Sequence, residues 1–140
     1  MGIRYQIYFL DYSYLFSDYP SITSPVYSLN IDTLEGDPDI TQGDDRIGIT
    51  ISEILNSFFS KIENVIVYVC DSIDERQYAR KRKFDLWFYM YNNGSLIKED
   101  GLALVEGSEI YNTLLIHKSN QQLTEIILAF KELNERTGEK

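Results

Sequence analysis

Apolar and polar residues alternate at the start of the chain. Ile3, Tyr5, Ile7 and Phe9 are interleaved with Arg4, Gln6, Tyr8 and Leu10, the period of two expected of a strand with one apolar face. Tyr12, Tyr14 and Phe16 either prolong that strand or decorate the connection after it. Residues 17–25 hold two Pro, three Ser and an Asp, which predicts a long connection, and Val26 to Ile31 resumes an extended pattern. The pair reads as a hairpin with an irregular tip.

A period of 3.6 follows. Ile47, Ile51, Ile54, Leu55, Phe58 and Ile62 share one face, with Ser52, Glu53, Asn56 and Lys61 on the other, which predicts a helix capped by Asp44 or Asp45. Val65 to Cys70 is a continuous apolar run, as expected of a central strand covered on both faces. Asp71 ends it. Ser72 with Glu75 and Asp74 with Gln77 both have capping-box spacing, so a second helix starts there, and Asn92-Asn93-Gly94 stops it after Tyr91. Leu96 to Val105 and Ile110 to His117 read as strands joined by Glu106-Gly107-Ser108-Glu109, with Gly101 marking a bulge or short turn in the first. Ser119 with Gln122 makes a third capping box. Leu123, Ile126, Ile127, Phe130 and Leu133 then form one face of a last helix, with Glu135 to Lys140 expected to fray.

The order β-β-α-β-α-β-β-α predicts an α+β fold, an α/β-like sandwich with a single mixed sheet of about five strands and helices packed on it. If both strand-helix-strand connections are parallel crossovers, strands two, three and four run the same way and their hairpin partners run oppositely. Asp71 then lies at the edge where open α/β sheets usually hold ligands, and His117 at the opposite edge, which excludes a catalytic His117–Asp71 pair.

Composition narrows the class. The chain has 140 residues, 44% of them hydrophobic and 25% charged, enough for one domain spanning residues 1–140 with its own core. Its formal charge of −9 opposes general nucleic-acid binding, which needs a positive surface. Eleven Tyr, seven Phe and one Trp either fill a half-buried sheet face or build a contact surface. Cys70 is the single Cys and sits in an apolar run, as a buried thiol in a reducing compartment would. No apolar run approaches the roughly 18 residues of a membrane span, and the start is too polar for a signal peptide. A soluble, cytoplasmic protein is expected.

The second helix carries the candidate chemistry. Phe84, Trp87, Phe88 and Tyr91 form its apolar stripe, and stepping back by four from Phe84 reaches Arg80 and then Arg76. These two arginines either form ion pairs with Asp71 and Asp45 that seat the helix, or present forked donors to a phosphate or carboxylate. Lys81, Arg82 and Lys83 read as a solvated face that could meet an acidic partner. The acids from Glu35 to Asp45 invite a calcium loop, but the Gly falls one place late at Gly43 and position twelve is Gly48. A single His117 excludes triads and metal clusters built on several imidazoles, Cys70 lacks an adjacent base, and no Gly-rich phosphate loop exists. No cofactor or metal is expected.

From Asp45 to the last helix the chain resembles a family of small, uncharacterised bacterial proteins, typical of the Bacteroidetes and classed as a domain of unknown function. The resemblance rests on Asp45-Arg46-Ile47, Thr50-Ile51 and Phe58-Phe59, then on Ile66, Tyr68-Val69-Cys70-Asp71, Arg80, Phe84 and Trp87-Phe88, and on Tyr111 to Asn120. It implies one intact domain and a bacterial origin, and brings no activity or ligand. The residues themselves favour a non-enzymatic binding or protein-interaction module, acting on an unknown protein partner or as a homodimer through its Tyr-rich surface. The alternative is a small ligand-binding domain or enzyme for an anionic molecule at the Asp71, Arg76, Arg80 and Asp45 edge.

Overall fold

The computed structural model describes residues 4–35, 45–70, 77–92 and 94–138. Strand β1 (Arg4–Asp11) leads through a 3-10 turn (Ser13–Phe16) to β2 (Val26–Glu35); α1 (Asp45–Phe58), β3 (Val65–Cys70), α2 (Gln77–Tyr91), β4 (Leu96–Val105), β5 (Ser108–His117) and α3 (Leu123–Gly138) follow. The strands form one mixed sheet in the order β1-β2-β3-β5-β4. β1 pairs antiparallel with β2, β2 parallel with β3, and β5 antiparallel with both β3 and β4. This is the α+β architecture and element order that the hydrophobic pattern predicts.

The continuous apolar run of β3 explains its place. Val65, Ile66, Val67 and Tyr68 are all buried, as are Leu114, Leu115 and Ile116 of the neighbouring β5. Because successive side chains point to opposite faces, these two strands feed two separate cores. On one face Leu29, Ile66, Tyr68 and Leu115 meet Ile51 and Leu55 of α1 and Phe84 of α2; on the other Val26, Val65, Val67, Leu114 and Ile116 meet Phe16 and the α3 residues Ile126, Ala129 and Phe130. Each fully buried aliphatic or aromatic side chain of this kind contributes roughly 1.5–3 kcal/mol.

Local chemistry departs from the sequence pattern at several places. Tyr12 to Phe16 do not prolong β1: the 3-10 turn there buries Phe16. α1 closes at Phe58, so the exposed Ile62 lies in the following turn and the adjacent Phe59 takes the buried place instead. α3 is helical as far as Gly138. The β4–β5 turn is two residues, Glu106 (φ 52°) and Gly107 (φ 82°), the paired positive φ of a tight hairpin turn. Gly101 marks no bulge, since the β4–β5 ladder runs through it without a register shift. Its reason is tertiary: a Cβ there would stand 2.4 Å from Nδ2 of Asn134 and 2.9 Å from Oδ1 of Asn112, side chains that cross β4 where α3 lies on it.

The start of α3 is also built differently from the Ser119–Gln122 capping box. Asn120, buried, accepts the Gln122 N–H at 2.7 Å through its Oδ1 and donates its amide to Ile62 O at 3.2 Å, Glu63 O at 3.3 Å and Ser24 Oγ at 3.3 Å. Gln122 then turns outward, its Oε1 accepting the Thr23 and Ser24 N–H groups and its Nε2 donating to Ser21 O. One strand-to-helix turn thus ties together both connections that precede β2 and β3.

Two substitutions test this packing. Gly101→Ala forces the Asn112–Asn134 contact apart and should lower stability by about 1–3 kcal/mol, read as a fall in denaturant midpoint; an unchanged midpoint would show that α3 does not approach β4 this closely. Asn120→Ala leaves three acceptors without their donor and should cost about 1–3 kcal/mol, whereas exposed Ser119→Ala should stay within about 0.5 kcal/mol.

Candidate functional site

The residues proposed from sequence for an anion site fall where little is described. Asp71 and Arg76 lie outside the described residues, as does most of the acidic segment before α1. The backbone places Asp45 at the first position of α1 and Arg80 one turn into α2, and their side chains lie outside the described set. Cys70 closes β3 opposite Tyr111, while His117 pairs with Leu96 at the other end of β5. The strand after which Asp71 follows therefore ends at the edge opposite His117, as the parallel crossovers require. His117 has a local role: its Nδ1 accepts the Ser119 N–H at 3.0 Å in the turn before α3.

Among the described residues, the ion pairs that seat α2 are formed by Lys81, Asp85, Lys98 and Asp100. Lys81, assigned by sequence to a solvated face, is half-buried against the sheet: its Nζ lies 2.7 Å from Asp85 and 3.6 Å from Asp100. Lys98 on β4 completes the ring, 3.0 Å from Asp85 and 2.7 Å from Asp100. The buried Thr113 on β5 donates its hydroxyl to Asp100 at 2.9 Å. Burial opposes charge on Asp100, but Lys98, Thr113 and Lys81 together hold its carboxyl below the usual carboxylate range. Burial likewise opposes charge on Lys81, and Asp85 and Asp100 outweigh it, raising the ammonium above its ordinary value. Both cations face paired carboxylates, so the cluster is a clamp between α2 and β4, with its charges already satisfied.

Beneath the clamp, Phe84 stacks on Tyr68 at 4.5 Å between ring centroids, and Trp87 and Phe88 pack beside the same core. The opposite side of α2 also carries apolar residues. Leu86, Tyr89 and Met90 are 55%, 85% and 54% exposed, spaced to form one ridge on the helix surface. Arg82, exposed, lies one turn before Leu86, and the Lys83 ammonium sits 5.7 Å from the Trp87 ring centroid. The inward stripe read from sequence does not reveal this ridge; the available signal is the run Leu86-Trp87-Phe88-Tyr89-Met90, which has too many apolar residues for one helix face.

A second apolar surface lies on the other face of the sheet. Between the 3-10 turn and the far half of α3, a shallow trough is floored by Val67, Val69, Ala103 and Ile110 and walled by Tyr12 and Leu133. Burial, with the neighbouring Tyr14, raises the pKa of Tyr12 above its ordinary value. Asn112 donates to Asn134 Oδ1 at 2.8 Å along the same surface. Among the described residues no group of three or more His, Cys, Asp or Glu could hold a metal ion, and no helix is long and apolar enough to cross a membrane.

A family model described as a family of unknown function (DUF6169) matches residues 43–132. The match spans more than half of the chain, which therefore belongs to that family. It includes α1, β3, the whole of α2, β4 and β5, and leaves the β1–β2 hairpin outside. No curated protein and no solved structure matches the chain.

The clamp predicts a pH dependence. The folded pKa of Asp100 is lowered, so its contribution is present above the unfolded carboxylate value of about 3.9 and is lost as pH falls through the folded value. Asp100→Asn should cost on the order of 1 kcal/mol at neutral pH, discounted for the partial exposure of the carboxylate, and should flatten the acid limb of stability against pH. An identical acid limb in the variant would show that Asp100 is not paired. Lys81 has the opposite sign: its raised value stabilises below about 10.4 and is lost as pH rises through the folded value.

Proposed function

We propose that this member of the family is a non-enzymatic protein-interaction module, cytoplasmic, and that the outer ridge of α2 is its contact surface. The observation that carries this reading is the exposure of Leu86, Tyr89 and Met90 on a helix whose inner side packs the buried Phe84 and the partly buried Trp87 and Phe88 against the core. Contiguous exposed apolar side chains on one helix are the ordinary mark of a binding surface, and Tyr and Met are suited to it. The exposed Arg82 and the neighbouring Lys83 give this surface a positive flank on an acidic chain of net charge −9. An amphipathic, acidic polypeptide complements it: apolar anchors for the ridge, carboxylates for Arg82. A bacterial source fits the resemblance of the chain.

The second reading is ligand binding or catalysis on an anionic molecule at the Asp71, Arg76, Arg80 and Asp45 edge. It draws on the helical spacing of the two arginines and on the general placement of ligands beyond the ends of parallel strands. Nothing in the Lys81–Asp100 clamp adds to it, because every cation there is paired.

A photo-crosslinking residue at position 89 in cells should capture one discrete polypeptide. Leu86→Lys with Met90→Lys should abolish the adduct while shifting melting by no more than about 0.5 kcal/mol equivalent, as expected of exposed sites. An adduct that persists in the double variant contradicts the ridge as contact surface. Stabilisation of the chain by a nucleotide or phosphorylated metabolite, lost in a folded Arg80→Ala protein, would favour the second reading instead.

A further inference from the structure

The two edges of the sheet are protected unequally. β4 carries Lys98, Glu99 and Asp100 in mid-strand, tied to Asp85 and Lys81 on one face and to Lys131 of α3 on the other, and such charges keep an edge from pairing with another chain. Among the described residues β1 is the opposite edge, with β2 as its sole partner strand. From Tyr5 to Leu10 it reads Tyr-Gln-Ile-Tyr-Phe-Leu, without charge or Pro, and its register irregularity falls between Arg4 and Tyr5, which leaves the rest of the strand regular. A strand of this composition with an open edge is a template for another strand.

We propose that β1 pairs antiparallel with β1 of a second copy of this chain, joining two five-stranded sheets into one across a two-fold axis. The main chain presents the required groups. The Tyr12 N–H donates to Val26 O at 2.8 Å, so the even positions of β1 turn their N–H and C=O towards β2, and the alternation of a strand turns those of Ile7 and Phe9 to the open edge. A two-fold axis perpendicular to the sheet keeps like faces on the same side and pairs residues of the same parity. The regular stretch from Tyr5 to Asp11 is centred on Tyr8, which places Tyr8 opposite its own copy, Ile7 opposite Phe9 and Gln6 opposite Leu10. The surroundings suit a second copy. Phe9, Ile54 and Phe58, with Thr50, Ser57 and Glu53 at its α1 side, line an open hollow beside the edge, and Leu10 is 54% exposed on the other face. A chain of net charge −9 repels its copy over most of its surface, and the uncharged edge is where close approach costs least. This pairing is independent of the α2 ridge, which lies on a different element.

Light scattering and native mass spectrometry of the full chain test it. The unmodified chain runs as a dimer. Gln6→Lys with Leu10→Lys sets like charges opposite one another across the axis and gives a monomer with unchanged circular dichroism, whose melting no longer depends on protein concentration. Gln6→Glu with Leu10→Lys sets opposite charges there and restores the dimer. A monomeric unmodified chain overturns the proposal, as does a dimer that survives the double lysine variant. If the chain carrying Gln6→Glu and Leu10→Lys folds but remains monomeric, the register is overturned.

Discussion

Burial of the β3–β5 pair from both sides is the constraint on which the rest of this structure depends. Val65, Ile66, Leu114, Leu115 and Ile116 have no exposed surface, and strand geometry sends their side chains alternately into two layers. Neither layer can be omitted. One is supplied by α1 and α2, the other by α3 with the 3-10 turn and Phe16. The hairpin β1–β2 and the strand β4 then fall to either side of the central pair, so the sheet ends in two edges whose side chains are not bound by the same demand. β4 answers with charge and β1 does not.

The position of α2 follows from two kinds of contact acting in one place. Phe84 on Tyr68 supplies apolar area, and the Lys81–Asp85–Lys98–Asp100 ring fixes rotation of the helix about its axis. Surface ion pairs of this kind contribute little stability singly, but four charges shared between a helix and a strand leave few alternative ways of seating it. With the rotation fixed, Leu86, Tyr89 and Met90 are held outward.

Much of the fold is legible in the sequence because the central strands speak through composition. A six-residue apolar run bounded by polar turns marks the limits of β3, Val65–Cys70, and turn residues mark the bounds of β4. Features that depend on a distant element are not legible. Gly101 looks like a bulge in one dimension, and only the approach of Asn134 from α3 gives its reason. Ser119 and Gln122 satisfy a capping pattern, yet Asn120 has tertiary acceptors on two other connections and takes the role. Steps of four from Phe84 leave Lys81 on the solvent side; the step of three reaches it, and its partners lie four residues on in α2 and across on β4. The arginines and Asp71 remain a reading of spacing, since their side chains lie outside the described residues.

Native-state hydrogen exchange tests the dependence on β3 and β5 most directly. The amides of Val65 to Tyr68 and Leu114 to Ile116 should exchange only through global unfolding, with the free energy and denaturant sensitivity of the whole chain, while α2 and the β1 edge open by smaller, local transitions. Exchange of β3 or β5 through a sub-global opening that leaves α2 or β1 protected would contradict the account, because the layers would then stand without the strands on which they are built.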